Sequence, residues 1–377
     1  MKEIGIYIHI PFCKSKCYYC DFTSFPNKND KVEEYIKCLL NEIIYNASKD
    51  YFVKTIYIGG GTPSFIDAKY ISKIMKTIKQ HYNIDENAEI TIEANPGTVN
   101  EDKLKEYYQL GINRLSIGLQ SANNDILKSI GRIHSYEQFE RTINLAKRQG
   151  FNNINSDMII GLPNQSLEDV TTTANKLISL GLQHISVYSL IVEENTKLDK
   201  LLNEGKIELP DEELERKMYW MVKKTLEEAG YIHYEISNFS RQGFQSKHNL
   251  DCWNQKEYLG FGVGASSYEN DIRYSNVNCL EQYISNINNE DIEKNKIIEE
   301  IQNKEEKMNE YMMLGLRKID GINIDDFENN FSEDPKEKYN KQIEKLKTAG
   351  LILYNPNAIK LTTKGIDLAN LVWEEFV

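Results

Sequence analysis

Features that would place a chain in a membrane, in the secretory route or on a nucleic acid are scarce in this sequence. No apolar run is long enough to span a bilayer, and the opening residues, Met1-Lys-Glu-Ile-Gly5, have neither the basic n-region nor the long h-region of a signal peptide. Basic charge is in deficit, with 45 Lys and Arg against 57 Asp and Glu, a net charge of −12. Such a balance argues against a phosphate backbone as the main partner. Six cysteines occur in 377 residues, and nothing in the sequence argues for the oxidising compartment that disulfides need. The expectation is a cytoplasmic protein with no nucleic-acid partner and at most peripheral membrane association. At this length, one large domain plus a smaller one is expected.

The cysteines that do occur are concentrated. Cys13, Cys17 and Cys20 fall within eight residues of the stretch Tyr7 to Phe22. Thiolates at spacings of four and three can grip one face of a cubane iron–sulfur cluster and leave its fourth iron without a protein ligand. Zinc is the alternative, with His9 as a fourth ligand. The strand-like run Ile4–Ile10 just upstream and the tyrosines Tyr18 and Tyr19 beside the thiols favour a strand delivering a cluster loop. Of the remaining cysteines, Cys38 sits in an apparent helix and reads as a small buried hydrophobe.

From Ile4 to about Phe239 one pattern repeats: a short β-branched run, a break, then an amphipathic helix. The strand candidates are Ile4–Ile10, Lys54–Ile58, Glu89–Glu93, Asn113–Gly118, Ile154–Ile160, His184–Leu190 and Tyr231–Ile236. One of the helices begins after Pro210 and stops at Gly230. Strands alternating with helices mean parallel βα units. Six or seven such units fit a barrel, closed or partial, with a doubly wound open sheet as the competing architecture. Polar or glycine-rich residues fall repeatedly at strand ends, where barrel sites gather. Gly59-Gly60-Gly61-Thr62-Pro63 follows the second strand, Glu93 ends the third, Gln120 ends the fourth, and Asp157 lies in the fifth. Glycines let backbone approach a ligand closely, Glu93 is a charged acceptor, and Arg132 is a carboxylate partner. Each alone fits a capped helix or a solvated loop; their shared position after a cluster loop favours a ligand site.

The spacing CxxxCxxC with an aromatic before the last Cys resembles the signature of the radical S-adenosylmethionine (SAM) superfamily. That resemblance implies an α/β fold, a partial (β/α)6 TIM-like barrel, with SAM bound at the open iron through its amino and carboxylate groups. In the superfamily an electron from the cluster cleaves SAM to a 5′-deoxyadenosyl radical. Tyr7-Ile-His-Ile-Pro-Phe-Cys13, Gly59–Pro63, Ile92-Glu-Ala-Asn-Pro96, the Gln120–Arg132–Asp157 series and Ser156–Pro163 together resemble the branch that holds oxygen-independent coproporphyrinogen III oxidase and the HemW-type haem chaperones. By motif match the resemblance implies SAM contacts from Tyr7, Tyr19, Gly60, Gly61, Thr62, Glu93, Gln120, Arg132 and Asp157, and 4Fe–4S ligation by Cys13, Cys17 and Cys20. The oxidase pattern has a further cysteine two positions after the third, where this chain has Phe22, and an extension ahead of the cluster strand, where three residues precede Ile4. Both departures favour the chaperone side of the branch, and the oxidase is the alternative.

A later stretch, His248-Asn249-Leu-Asp-Cys252-Trp253, resembles the His-Asn-x-x-Tyr-Trp sequence of the chaperones, implicated in haem binding, with Cys252 in place of Tyr. The resemblance implies haem as a third cofactor, His248 as its contact, and a haem-accepting protein and an electron donor as partners. Imidazole and thiolate can both ligate haem iron, although a single His beside Asn is more often a hydrogen-bonded structural group. Gly260–Gly264 reads as a tight turn near the SAM site, since no βαβ context surrounds it. The expected domains are 1–240, the barrel; 241–298, a connecting segment carrying the haem motif; and 299–377, a helical, winged-helix-like unit. That last unit is expected to open in a charged helical run at Glu299, to include a hairpin around Leu351–Leu361 and to end in one helix, Thr363–Phe376. It is not basic enough for DNA; covering the barrel or docking a partner fits it better.

Overall fold

The computed structural model describes residues 1–376. Its centre is a run of parallel strands: β1 (Lys2–Ile10), β2 (Tyr51–Gly60), β3 (Asn83–Ala94), β4 (Arg114–Gln120), β5 (Ile154–Ile160) and β6 (His184–Ser189). They lie side by side in chain order. Helices connect them: α1 (Val32–Tyr45), α2 (Ala68–His81), α3 (Glu101–Gln109), then α4 (Asn124–Ser129) with α5 (Tyr136–Arg148), and α6 (Leu167–Ser179). A doubly wound sheet reverses its strand order at a switch point; this order never reverses, so the architecture is the singly wound, TIM-like one.

Alternation along each strand makes two chemically different faces. Ile4, Ile6, Ile8 and Ile10 of β1 share the main core with Val32, Ile36, Leu39 and Ile43 of α1. Between them, Gly5, Tyr7 and His9 point to the opposite face, the barrel lumen. The other strands repeat the pattern: Ile90 and Ile92 are in the core while Glu89, Thr91 and Glu93 face inward, and Leu115, Ile117 and Leu119 are in the core while Arg114, Ser116 and Gln120 face inward. Several helices are started by local chemistry. Ser135 and Ser166 make reciprocal capping boxes with Gln138 and Asp169 at α5 and α6.

After β6 come α7 (Lys197–Asn203) and α8 (Glu212–Glu228), the helix expected between Pro210 and Gly230. The expected seventh parallel strand is different: β7 (Ile232–Glu235) pairs antiparallel with β8 (Asn238–Ser240), which pairs antiparallel with β6. Two residues, Ile236 and Ser237, suffice for the hairpin turn between β7 and β8, whereas a parallel crossover needs a dozen or more, usually as a helix. Next, α9 (Lys247–Trp253) leads to β9 (Tyr258–Phe261), parallel to β1, and to the antiparallel β10 (Ser266–Glu269), β11 (Ile272–Asn276) and β12 (Lys296–Ile301), with α10 (Leu280–Asn288) inserted. Residues 241–298 thus extend the same twelve-stranded sheet. Glu42 of α1 ties this extension down. It is buried and accepts from Gly262 N (2.8 Å), Asn276 Nδ2 (2.6 Å) and Tyr283 Oη (2.6 Å).

The charged run around Glu299 is an edge strand, β12, and the helix α11 (Lys304–Gly315) begins only after it. A second hydrophobic core follows, built from Met308, Met312, Phe327, Ile343, Ile359 and Val372 among others. It joins α12 (Ile324–Phe331), α13 (Pro335–Lys338) and α14 (Asn340–Thr348) to a small antiparallel sheet of β13 (Ile322–Asn323), β14 (Ile352–Tyr354) and β15 (Ala358–Leu361). This is a winged-helix-like arrangement. The expected single last helix is broken at Leu368 into α15 (Thr363–Asp367) and α16 (Ala369–Trp373). The unit packs on the barrel where Ile236 N donates to Arg317 O (3.0 Å) and Ile319 N donates to Tyr234 O (3.1 Å), an added rung on the free edge of β7. Among the described residues no helix is long and apolar enough to cross a membrane.

Candidate functional site

The C-terminal ends of β1 to β5 bring together most of the residues expected from the sequence. Cys13 closes a two-residue strand that follows β1, and Cys17 and Cys20 lie in the turn beyond it. All three are free thiols. Cys13 Sγ stands 3.5 Å from Thr62 Oγ1, which accepts from Asn95 Nδ2 (2.9 Å). Asn95 Oδ1 in turn accepts from Arg132 Nη2 (2.6 Å), and Arg132 Nη1 donates to Cys17 Sγ (3.3 Å). A closed chain of hydrogen bonds therefore runs from one thiol to another, through the loops after β2, β3 and β4. Arg132, the expected carboxylate partner, also donates to Gly118 O (3.0 Å) and so braces the thiol loop. Asn95 carried no assignment in the sequence; its place in Glu93-Ala-Asn-Pro96 was the available signal.

Burial pushes Cys13 up and Cys20 up to about 11. These thiols deprotonate on taking a metal, which then releases protons. His9 is not placed to complete a zinc site: its Nδ1 is 2.9 Å from Tyr7 Oη and its Nε2 is 2.8 Å from Thr23 O, so both ring nitrogens are engaged. Among the described residues no three or more His, Cys, Asp and Glu side chains converge on a single ion. A cubane asks each thiolate to bind a different iron, so its thiols stand farther apart than the ligands of one zinc.

Beside the thiols, the glycines after β2 form a cradle. Gly60 has φ of 109°, and a Cβ there would lie 2.6 Å from the His9 ring; a Cβ on Gly61 would lie 2.9 Å from Cys13 Sγ and 3.0 Å from Phe12 O. Glu93 reaches the same place, accepting from Gly60 N (3.1 Å) and Tyr57 Oη (2.8 Å). Burial, and then the nearby Asp157, push its carboxyl up to about 7, although the Tyr57 hydroxyl opposes the shift. Burial also raises Asp157, which accepts from Asn155 Nδ2 (2.7 Å). Gln120 sits at φ 69° with its Oε1 buried and unpartnered, and Arg132 Nε is also buried without a partner. Unpartnered buried polar atoms are rare, and these two belong to side chains that meet beside Gly118, at the end of β4. Tyr19 packs with Ile126, Ile130, Ile159 and Leu162 on the far side of the thiol loop. Gly262 (φ 104°) and Gly264 (φ 68°) turn tightly beneath the loop, where a Cβ would meet His9 O and Thr23 Oγ1 at 2.8 and 2.9 Å.

His248 lies elsewhere, on α9, inside the lumen. Glu89 of β3 sets its position by capping α9, accepting from Lys247 N (3.1 Å) and His248 N (3.1 Å). The imidazole Nδ1 is 2.8 Å from Thr55 Oγ1 and the ring stacks on Tyr57 at 5.2 Å. Burial, then the charge of Arg114, push its pKa down to about 4, so it is neutral at pH 7 and competent as a metal ligand. Cys252 and Trp253 end the same helix, and Trp253 stacks under the Arg317 guanidinium at 4.4 Å.

A three-thiol loop at the mouth of a singly wound α/β barrel defines a radical SAM-type protein. Residues 7–177 match the Radical SAM superfamily and residues 302–368 match the HemN C-terminal domain. Over 376 residues the chain is 37% identical to a protein named heme chaperone HemW from Lactococcus lactis subsp. lactis, covering 100% of this chain and 98% of that one. It is 37% identical over 374 residues to the heme chaperone HemW of Bacillus subtilis, covering 98% of each. The solved structure of coproporphyrinogen III oxidase (HemN) from Escherichia coli superposes with a TM-score of 0.87 at 23% identity, covering 100% of this chain and 90% of that one, a likeness of fold. The chain belongs to the HemW family of the radical SAM superfamily, and that superfamily implies a 4Fe–4S cluster and SAM. The residues present fit both groups: free thiols on a braced loop, a cradle without side chains, and unpartnered donors and acceptors around it.

The cradle leaves no room for a methyl group. Gly61→Ala is expected to displace Cys13 and lower the iron taken up in anaerobic reconstitution well below the about four per chain of an intact cluster, with the far-UV circular dichroism unchanged. Full iron loading of the variant would contradict the packing described.

Proposed function

We propose that this chain is a cytoplasmic haem chaperone, one that binds a 4Fe–4S cluster, SAM and haem and passes haem to an acceptor protein. The observation that carries the reading is the full-length identity to proteins named heme chaperones. In this reading Cys13, Cys17 and Cys20 hold the cluster. SAM lies across the cradle, with Tyr7, Tyr19, Gly60, Gly61, Thr62, Glu93, Gln120, Arg132 and Asp157 around it. His248 contacts haem. The cluster, when bound and reduced by an electron donor, supplies single electrons. Arg132 and Asn95 hold the thiol loop in shape, and the glycine backbone offers N–H and C=O groups at close range. The chain divides for this purpose into barrel (1–240), a bridging segment that carries the haem motif (241–298) and a C-terminal unit (299–377) suited to covering the barrel or docking the acceptor. The oxidase reading has a likeness of fold behind it, while Phe22 departs from its cysteine pattern.

His248 is only 8% exposed and its Nδ1 faces Thr55. A haem iron therefore reaches the other ring nitrogen only if α9 swings away from the sheet. A haem titration of anaerobically reconstituted protein, followed by visible absorbance, tests the function. One haem per chain is expected, weakened at least roughly tenfold in His248→Ala, the loss of one metal–ligand bond. Equal binding by the variant moves the contact to Cys252, checked with Cys252→Ala. No binding by the wild type defeats the chaperone reading, and coproporphyrinogen turnover becomes the assay.

Glu93 gives the SAM site a pH dependence. Its carboxyl is raised to about 7 when folded, so its neutral form stabilises the protein at low pH and that contribution is lost as pH rises through about 7. SAM carries sulfonium and ammonium charges and favours the ionised carboxylate. SAM affinity is expected to rise roughly tenfold between about pH 6 and pH 8, measured by calorimetry, and to be flat in Glu93→Gln. A wild-type affinity that falls over the same range would remove Glu93 from the SAM site.

A further inference from the structure

The lumen below the SAM cradle contains one charge whose role the proposed function does not use. Arg114, the first residue of β4, is 2% exposed. Its neighbours Leu115, Ile117 and Leu119 belong to the core on the helix side, so the Arg114 side chain enters the lumen. Arg114 Nε is buried with no hydrogen-bond partner. The arginine ion pairs among the described residues are those of Arg216 with Asp367 and Arg273 with Glu310; Arg114 makes none. A buried unpaired cation is costly, several kcal/mol even after relaxation, and is a feature that asks for a missing partner.

The surroundings of Arg114 are otherwise satisfied. His184 uses both ring nitrogens, Nδ1 at 2.6 Å from Asn155 Oδ1 and Nε2 at 2.7 Å from Tyr234 Oη. Asn155 also donates to Ser116 Oγ (2.9 Å) and to Asp157. Glu89 is taken up by the start of α9, and His248 by Thr55. The exception is Thr91 on β3: it is directly paired in register with Arg114, is fully buried, and its Oγ1 is also without a partner. Tyr57 stands opposite Thr91 on β2. At one height of the barrel, adjacent strands thus present the Arg114 Nε–H and the Thr91 hydroxyl, both unpartnered and both able to donate. Glu93 and Asp157 feel the Arg114 charge, but their carboxylates are hydrogen-bonded to Tyr57, Gly60 and Asn155.

We infer that Arg114, with Thr91 beside it, is a receptor for the carboxylate of a ligand that enters the barrel. A planar guanidinium matches a carboxylate in two parallel hydrogen bonds, and the hydroxyl supplies a third. The inference rests on the proposed function for the identity of the carrier. In that reading SAM gives its carboxylate to the open iron, so the carrier is haem, through a propionate. Arg114 lies at the start of β4, at the end of the barrel where Glu89 holds α9 and His248, and the Arg114 charge is felt by the His248 imidazole. The movement of α9 that admits haem to His248 therefore also opens the way to Arg114.

The test uses the full-length, cluster-reconstituted protein and two ligands that differ in the carboxylates alone, haem and haem dimethyl ester. Wild type is expected to favour the free acid by roughly tenfold or more, as a charge-assisted bidentate contact does. Arg114→Gln is expected to bind the two alike, and Arg114→Lys to recover part of the difference. The inference is overturned if wild type shows no preference for the acid, or if Arg114→Gln keeps the wild-type ratio. Should thermal melts show that Arg114→Gln does not fold, Thr91→Val replaces it: a ratio reduced severalfold supports the receptor, an unchanged one rejects it. If neither ligand binds to any form of the protein, the chaperone reading fails and the inference with it, whereas binding without a preference for the acid overturns the inference alone.

Discussion

The alternation of side chains along six parallel strands is the constraint on which this molecule depends. Each strand turns an aliphatic face to the helices and a polar face to the lumen. Burial of isoleucine, leucine and valine against the helices supplies the dominant stabilisation, so the inner face is released from that task. Many barrels fill their lumen with branched aliphatics. Here it is filled with Tyr7, His9, Tyr57, Glu93, Arg114, Asp157 and His184, most of them linked in hydrogen bonds. A lumen of this kind holds polar ligands and tunes their surroundings by burial: it raises Glu93 and Asp157 and lowers His248.

The thiol loop is the second consequence of the strand order. Parallel strands in sequence order place successive loops next to one another at one end of the sheet. The loops after β2, β3 and β4 therefore meet the cysteines that follow β1, and Thr62, Asn95 and Arg132 form one chain of contacts between Cys13 and Cys17. Residues more than a hundred positions apart hold the same loop. The C-terminal unit closes the other side, pairing Arg317 and Ile319 with the edge of β7 and stacking Arg317 between Trp253 and Trp373. The helix that bears His248 is thereby in contact with the unit proposed to dock a partner.

Much of this was legible in the sequence. Isoleucines at alternate positions marked β1 within two residues, the run Ile154–Ile160 marked β5, and the chemistry-bearing residues at strand ends marked the site. What stayed hidden depends on pairing between distant strands. The unpartnered Nε of Arg114 and hydroxyl of Thr91 stand at one height because the two residues are in register, which no spacing along the chain records. Glu89 looked like an ordinary strand residue until α9 placed its N-terminus on it. Local pattern also cannot separate a parallel from an antiparallel strand, hence the different role of residues 232–235. The run Lys296–Ile301 carries glutamate beside isoleucine in an edge strand that is exposed along most of its length, and its charge made it read as helix.

The central claim is that three thiols hold a cubane whose fourth iron is open to SAM. The direct measurement is the electron paramagnetic resonance spectrum of the reconstituted, reduced protein, recorded before and after SAM is added. An open iron that takes the amino and carboxylate groups of SAM changes its ligand field, so the g-values of the reduced cluster are expected to shift, and the shift to disappear in Glu93→Gln at limiting SAM. A reduced-cluster spectrum that stays the same at saturating SAM, or a protein that takes up zinc and no iron, would contradict the account.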